Sequence, residues 1–216
     1  MKQGLSEYKF KKIASEALKN SIRLHKDSIL LYKNSSYPSA FQLSVLAMEE
    51  LAKAKWVEHY YTSSIYNDGF PDEKFEQDWL KLLYFHPEKQ FAFVGREVTD
   101  YSPKFVEKIR SKELEQQKQQ ATYVGLSRKK RAIDVDSRIS IPEKQISQNS
   151  AKQMISLINH ELMQIHNVCE QSDGYFDIWE MNLIINEDDH PILFRWPYKS
   201  GLKSRKWNKV SRAKYS

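Results

Sequence analysis

Cysteine is nearly absent from this chain of 216 residues: Cys169 stands alone, so no internal disulfide can form and no cysteine cluster of zinc-binding spacing exists. Glycine and proline are also scarce, at six and seven, which argues against a β architecture built on many tight turns. No apolar run approaches the roughly 20 residues needed to span a bilayer. The start, Met1-Lys2-Gln3-Gly4-Leu5-Ser6-Glu7, lacks the apolar stretch of a secretory leader. These absences lead to the expectation of a cytoplasmic protein without a membrane segment. The last 22 residues lack acidic side chains altogether. Arg195 to Ser216 carries eight basic residues, against a formal net charge of +6 for the whole chain, so residues 1–194 are slightly acidic on balance.

What is present favours helices. Hydrophobic residues make up 40% and aromatics 12%, enough to build a core. The periodicity predicts a mainly α fold, with helices at about 7–33, 38–65, 71–98 and 142–171 sharing one core. Ile13, Ala17, Leu24 and Leu31, widened by Ile22 and Leu30, form one helical stripe. Asn34 to Tyr37 breaks it, and Pro38 suits the first turn of the next helix. From Phe41 to Ala54 that second helix is apolar nearly all round, as expected of the centre of a bundle. His86 precedes Pro87, which places a break there. A polar Lys/Glu/Gln helix is expected over about 104–120, and residues 121–139 read as a small β-hairpin or extended insertion around Arg128-Lys129-Lys130-Arg131. Ala151, Ile155, Ile158, Leu162, Ile165 and Cys169 mark the core face of the last long helix, and Trp56, Trp79, Leu46 and Ile158 are expected to be largely buried. The domain division expected is 1–190 for the helical body and 191–216 for a basic, aromatic tail.

Two polar groups interrupt apolar faces. At about 100° per residue, Glu49, Glu50 and Lys53 share one otherwise apolar arc of the second helix. Charges there need partners, and Glu-to-Lys at i,i+3 or i,i+4 supplies one. Two readings are open: an ion pair that fixes packing, or a pocket of acid, base and cation. His86 and Lys89 form the second group, at a helix end and in the first turn of the next helix. They read either as a cap beside a solvated lysine or as an acid–base group beside a phosphate-stabilising cation facing one cleft. The five candidate catalytic residues are thus Glu49, Glu50, Lys53, His86 and Lys89. No Gly-rich phosphate loop occurs, the helical spacing of His160, Glu161 and His166 is not that of a zinc pair, and neither metal nor cofactor is expected.

Glu49-Glu50-Leu51-Ala52-Lys53 resembles the EELGK-like signature of the AbiV family of abortive-infection proteins, and His86-Pro87-Glu88-Lys89 resembles that family's H-x-x-K element. Lys118 to Leu126 is similar to its LYVD-like segment, followed here, as there, by a proline and a closing helix from Pro142. Asn20 and Asp27 fall where the family's first helix often carries Asn and Asp. The resemblance spans roughly residues 10–170. It implies a HEPN-type helical bundle, a homodimer, and an anti-phage effector acting on translation or RNA once a phage-derived partner engages it. The alternative is a non-enzymatic dimeric helical module that binds RNA or an acidic protein. HEPN nucleases carry an Arg followed after four to six residues by His. None of the nine arginines here has such a His, a departure that bears on cleavage and leaves the fold untouched.

In the tail, cations alternate with aromatics, the pattern that holds phosphates and stacks on unpaired bases. The candidate nucleic-acid contacts are Arg195, Lys199, Lys203, Arg205, Lys206, Trp207 and Lys209. A solubilising tail, or one whose aromatics pack back on the bundle, is the other reading.

Overall fold

The computed structural model describes residues 7–66, 73–82, 84–95, 98–126, 128–129, 132–171, 187–197 and 199–204. Two long helices open the chain, α1 (Glu7–Lys33) and α2 (Tyr37–Tyr66). The link between them is three residues long, with Ser35 in the left-handed region at φ 61° and the Ser36 amide donating back to the Leu31 carbonyl at 2.9 Å. So short a link makes the pair an antiparallel hairpin, and their contact is the most extensive between any two elements. Ala40, Ala47, Ala52 and Ala54 are all sealed from solvent, and Ser21 donates to the Ala47 carbonyl at 2.8 Å.

Next come α3 (Glu73–Leu82), α4 (His86–Val94), α5 (Pro103–Arg110) and α6 (Glu113–Gln120). Pro87 does mark a boundary, but His86 begins α4 rather than ending α3, with Phe85 extended before it. The stretch expected as one helix over 104–120 is two, because Lys112 adopts a left-handed φ of 63° between α5 and α6. The insertion is a minimal hairpin, β1 (Arg128–Lys129) against β2 (Ala132–Ile133), with a further antiparallel bridge between Gly125 and Ser140. The closing helix is likewise split into α7 (Pro142–Gln145) and α8 (Gln148–Gln171). Ser147 interposes itself as the cap of α8, its hydroxyl accepting from the Ser150 amide at 3.1 Å. A short α9 (His190–Leu193) follows. The chain is thus mainly α, a helical bundle as expected. Among the described residues no helix is long and apolar enough to cross a membrane.

α2 is the axis of the bundle, packed against α1, α4, α6, α7 and α8. Its Phe41, Val45, Met48 and Leu51 meet Leu18 and Ile29 of α1, Phe93 of α4, and Ile155, Ile158 and Leu162 of α8 in one core. The all-round apolar character of α2 is therefore used within a single chain, and it supplies no argument for a second copy. Trp79 and Ile158 are buried as expected, whereas Leu46 and Trp56 are only partly so. Leu30, placed on the buried stripe by its spacing, is 48% exposed, and Phe10, Ala14 and Ile29 take core positions instead. The Cys169 side chain lies outside the described residues.

The basic tail needs correction. Leu193 and Trp196 belong to the main core, and the Trp196 indole donates to Ser156 Oγ at 3.0 Å. The Ser200 hydroxyl donates to the Gln153 carbonyl at 3.0 Å, the Ser102 amide to the Leu202 carbonyl at 2.8 Å, and the Ser204 amide to the Asp100 carbonyl at 2.8 Å. The described part of residues 191–204 is thus built into the bundle, not appended to it. Apolar and hydrogen-bonding groups scattered among the cations decide this.

Candidate functional site

Three helices contribute one polar cluster. On α2, Glu49, Glu50 and Lys53 occupy successive positions of one arc. On α4, His86, Lys89 and Gln90 lie at i, i+3 and i+4 and so share a face; on α6, Glu115 and Lys118 do the same at i, i+3. Packing of α4 and α6 on α2 brings the three faces together.

Glu49 is the hub. Its side chain is 1% exposed, yet both oxygens are satisfied: Oε2 lies 2.5 Å from His86 Nδ1, and Oε1 accepts from Gln90 at 2.8 Å and from Lys118 at 2.9 Å. Burial pushes this carboxyl up, but the bonds from His86 and Gln90 and the charge of Lys118 outweigh it and hold the group below the usual carboxylate range. Glu49 is therefore ionised at neutral pH, and the Nδ1 facing it carries the proton. Gln90 also donates to Glu115 at 2.8 Å, and Lys118 lies 2.7 Å from the same carboxylate. The α6 pair was not anticipated.

Lys53 pairs with Glu50 at 2.6 Å rather than with Glu49. Lys89 is 6% exposed, and burial foremost, then the neighbouring charge of Lys53, lowers its proton affinity against the opposing pull of Glu49 and Glu50. All five candidates on α2 and α4 thus fall in one cluster, joined by Gln90, Glu115 and Lys118. The His86 ring is 47% exposed while its carboxylate partner is sealed. An imidazole whose inner nitrogen is fixed by a buried carboxylate presents its outer nitrogen, Nε2, as a proton acceptor.

A second buried constellation lies between α2, α8 and the C-terminal segment. Glu161 is held by Lys55 at 2.9 Å, by Lys203 in a short contact, and by the Tyr101 hydroxyl at 3.3 Å. Lys203 is only 3% exposed and also lies over the Tyr101 ring, 4.3 Å from its centroid. Buried in this way it cannot hold a nucleic-acid phosphate, which removes it from the tail candidates. Arg195 and Lys199 are exposed. Arg205, Lys206, Trp207 and Lys209 lie outside the described residues. Among the described residues no group of three His, Cys, Asp or Glu could hold a metal ion.

The family model for AbiV, of HEPN type, matches residues 9–162. The chain belongs to the AbiV family. The match takes in α2, α4 and α6, hence every member of the Glu49 cluster, and includes Glu161 on α8. AbiV membership gives the protein an abortive-infection, phage-defence role. Comparison with curated proteins and with solved structures finds no match.

Proposed function

We propose that this AbiV-family protein is a phage-defence effector that acts on RNA of the translation machinery, with the Glu49 cluster as its active centre and a phage-derived protein as its trigger. The observation that carries the reading is the 2.5 Å contact between sealed, ionised Glu49 and half-exposed His86. In this chemistry His86 Nε2 accepts the proton of a ribose 2′-hydroxyl as that oxygen attacks phosphorus. The bond from phosphorus to the 5′-oxygen breaks, and the leaving oxygen takes a proton from water. Glu49 orients the ring and offsets the charge it gains. The Lys53–Glu50 pair flanks the reacting phosphate. Exposed Arg195 and Lys199, with Arg205, Lys206, Trp207 and Lys209, serve as the RNA-holding surface, and the active species is a homodimer.

Absence of the Arg-x4–6-His spacing favours a second reading, in which a dimeric helical module binds RNA or an acidic protein without cutting. Purified protein incubated with total RNA and ribosomes separates the two. Site-specific cleavage that falls about 10²–10⁴-fold in His86→Ala and in Lys53→Met supports the first. Binding without cleavage selects the second. Full phage protection by cells expressing His86→Ala would remove the cluster from either role. Sedimentation at micromolar concentration tests the dimer.

A further inference from the structure

The charges of the Glu49 cluster pair off with one exception. Glu49 is served by His86, Gln90 and Lys118, Glu115 by Gln90 and Lys118, and Glu50 by Lys53. The Lys89 side chain makes no hydrogen bond or ion pair with any described residue, although the residue is only 6% exposed. Its ammonium is not among the sealed, unpartnered atoms, so it reaches solvent, where a counter-charge from outside the protein can meet it. The charge acting most strongly on it is that of Lys53, which repels it. Glu49 and Glu50 pull the other way, but each of these carboxylates is already held by other donors.

Cations on two helices bound this point: Lys89 on α4, one turn along from half-exposed His86, and Lys53 on α2. The N-terminus of α4 adds to the same positive potential, since Phe85 offers it no side-chain cap and Pro87 stands in its first turn. A tetrahedral, multiply charged anion can accept from several donors arriving from different directions, whereas a single carboxylate already has its place here in Glu50.

We propose that Lys89, together with Lys53, forms a binding site for a phosphoryl group. The proposal rests on the reading of this cluster as the active centre but not on cleavage. The phosphoryl group belongs either to an RNA backbone or to a free nucleotide or phosphate, and both present the same chemistry to Lys89.

The test is calorimetric titration and thermal melting of the full-length protein with three probes: inorganic phosphate, a nucleoside 5′-monophosphate, and a short single-stranded RNA. Each probe that binds should raise the melting midpoint of the wild type. Lys89→Met should weaken that binding at least tenfold and abolish the midpoint rise, and Lys89→Arg should restore part of both. Without ligand, Lys89→Met should melt near the wild-type temperature or above, because it breaks no hydrogen bond or ion pair. RNA bound at least tenfold tighter than the two small probes assigns the site to the backbone; comparable affinities assign it to free phosphate. The proposal is overturned if phosphate, nucleotide and RNA bind Lys89→Met as they bind the wild type, or if ligand-free Lys89→Met melts well below it. Lys89-dependent binding without RNA cleavage would retain this site and remove the nuclease reading. Cleavage that survives in Lys89→Met would do the reverse.

Discussion

Acidification from pH 7 to pH 4 is expected to bring the protein to the edge of unfolding, and two histidines outside the proposed active centre are the reason. His25 on α1 and His160 on α8 are both buried, and burial is the first cause that lowers each to about 4. For His25 a bond to the Asn159 amide oxygen, 2.9 Å away, opposes the shift without cancelling it. Unfolding releases both rings to the ordinary value near 6.5. Between those limits the unfolded chain binds protons that the folded one refuses, so stability falls as pH falls through that window. The slope is about 1.4 kcal/mol per pH unit for each ring. Over the whole window each contributes a loss of about 3 kcal/mol, and two such losses rival the roughly 5–15 kcal/mol that holds a domain folded. Glu161 does not share this window: despite the upward push of burial, Lys55 and Lys203 hold it at about 2, so its contribution is lost only as pH drops from the usual carboxylate range toward that value. Urea midpoints measured by circular dichroism from pH 7.5 to 4 should therefore decline from about pH 6.5 downward. His25→Gln, which keeps a polar partner for Asn159 and cannot titrate, should flatten the decline by about one proton. A urea midpoint unchanged down to pH 4 would refute the buried neutral histidines.

Legibility in the sequence followed the range of the interaction. The hairpin of α1 and α2 could be read because its signals are local: an apolar stripe, a polar break at Asn34 to Ser36, and a proline in the first turn. Glu49, Glu50, Lys53, His86 and Lys89 were conspicuous as charges set into apolar arcs or beside Pro87. Lys118 and Glu115 were not, since they sit in a helix so rich in Lys, Glu and Gln that every polar residue looks solvated. Their burial comes from α6 lying on α2, a contact between residues 69 apart in the chain for Lys118 and Glu49. The break at Lys112 escaped notice because a lysine carries none of the turn signature that glycine or asparagine would. Lys203 misled in the opposite sense: it belongs to a run of cations whose composition reads as solvated, and only the fold shows that its counter-charge, Glu161, waits 42 residues upstream.

Replacement of Glu161 by Gln is expected to be the most destabilising single change outside the apolar core. The side chain is 3% exposed, and it compensates Lys55 and Lys203, which are 20% and 1% exposed. Glutamine keeps the shape and one acceptor but removes the charge that both of these largely enclosed ammonium groups share. Breaking a buried pair in this way costs about 3–5 kcal/mol, and for a chain of this size each kcal/mol lowers the melting midpoint by about 2–4 °C. A drop of roughly 10 °C is expected. Lys203→Met should cost less, because Lys55 and the Tyr101 hydroxyl still serve Glu161 and the methionine can pack on the Tyr101 ring. The triple change Lys55→Met, Glu161→Gln, Lys203→Met should recover much of the loss, since it removes the charges together with the need to pair them. The position of Lys203 gives the effect a direction. Its backbone bridges Tyr101, and its neighbours Leu202 and Ser204 bond to Ser102 and Asp100, so the pair fastens the C-terminal segment to the start of α5. Hydrogen exchange in Glu161→Gln should therefore rise first at the amides of Ser102 and Ser204, ahead of those in α2. Uniform loss of protection across the bundle would instead make Glu161 a part of the global core rather than the clasp of this segment.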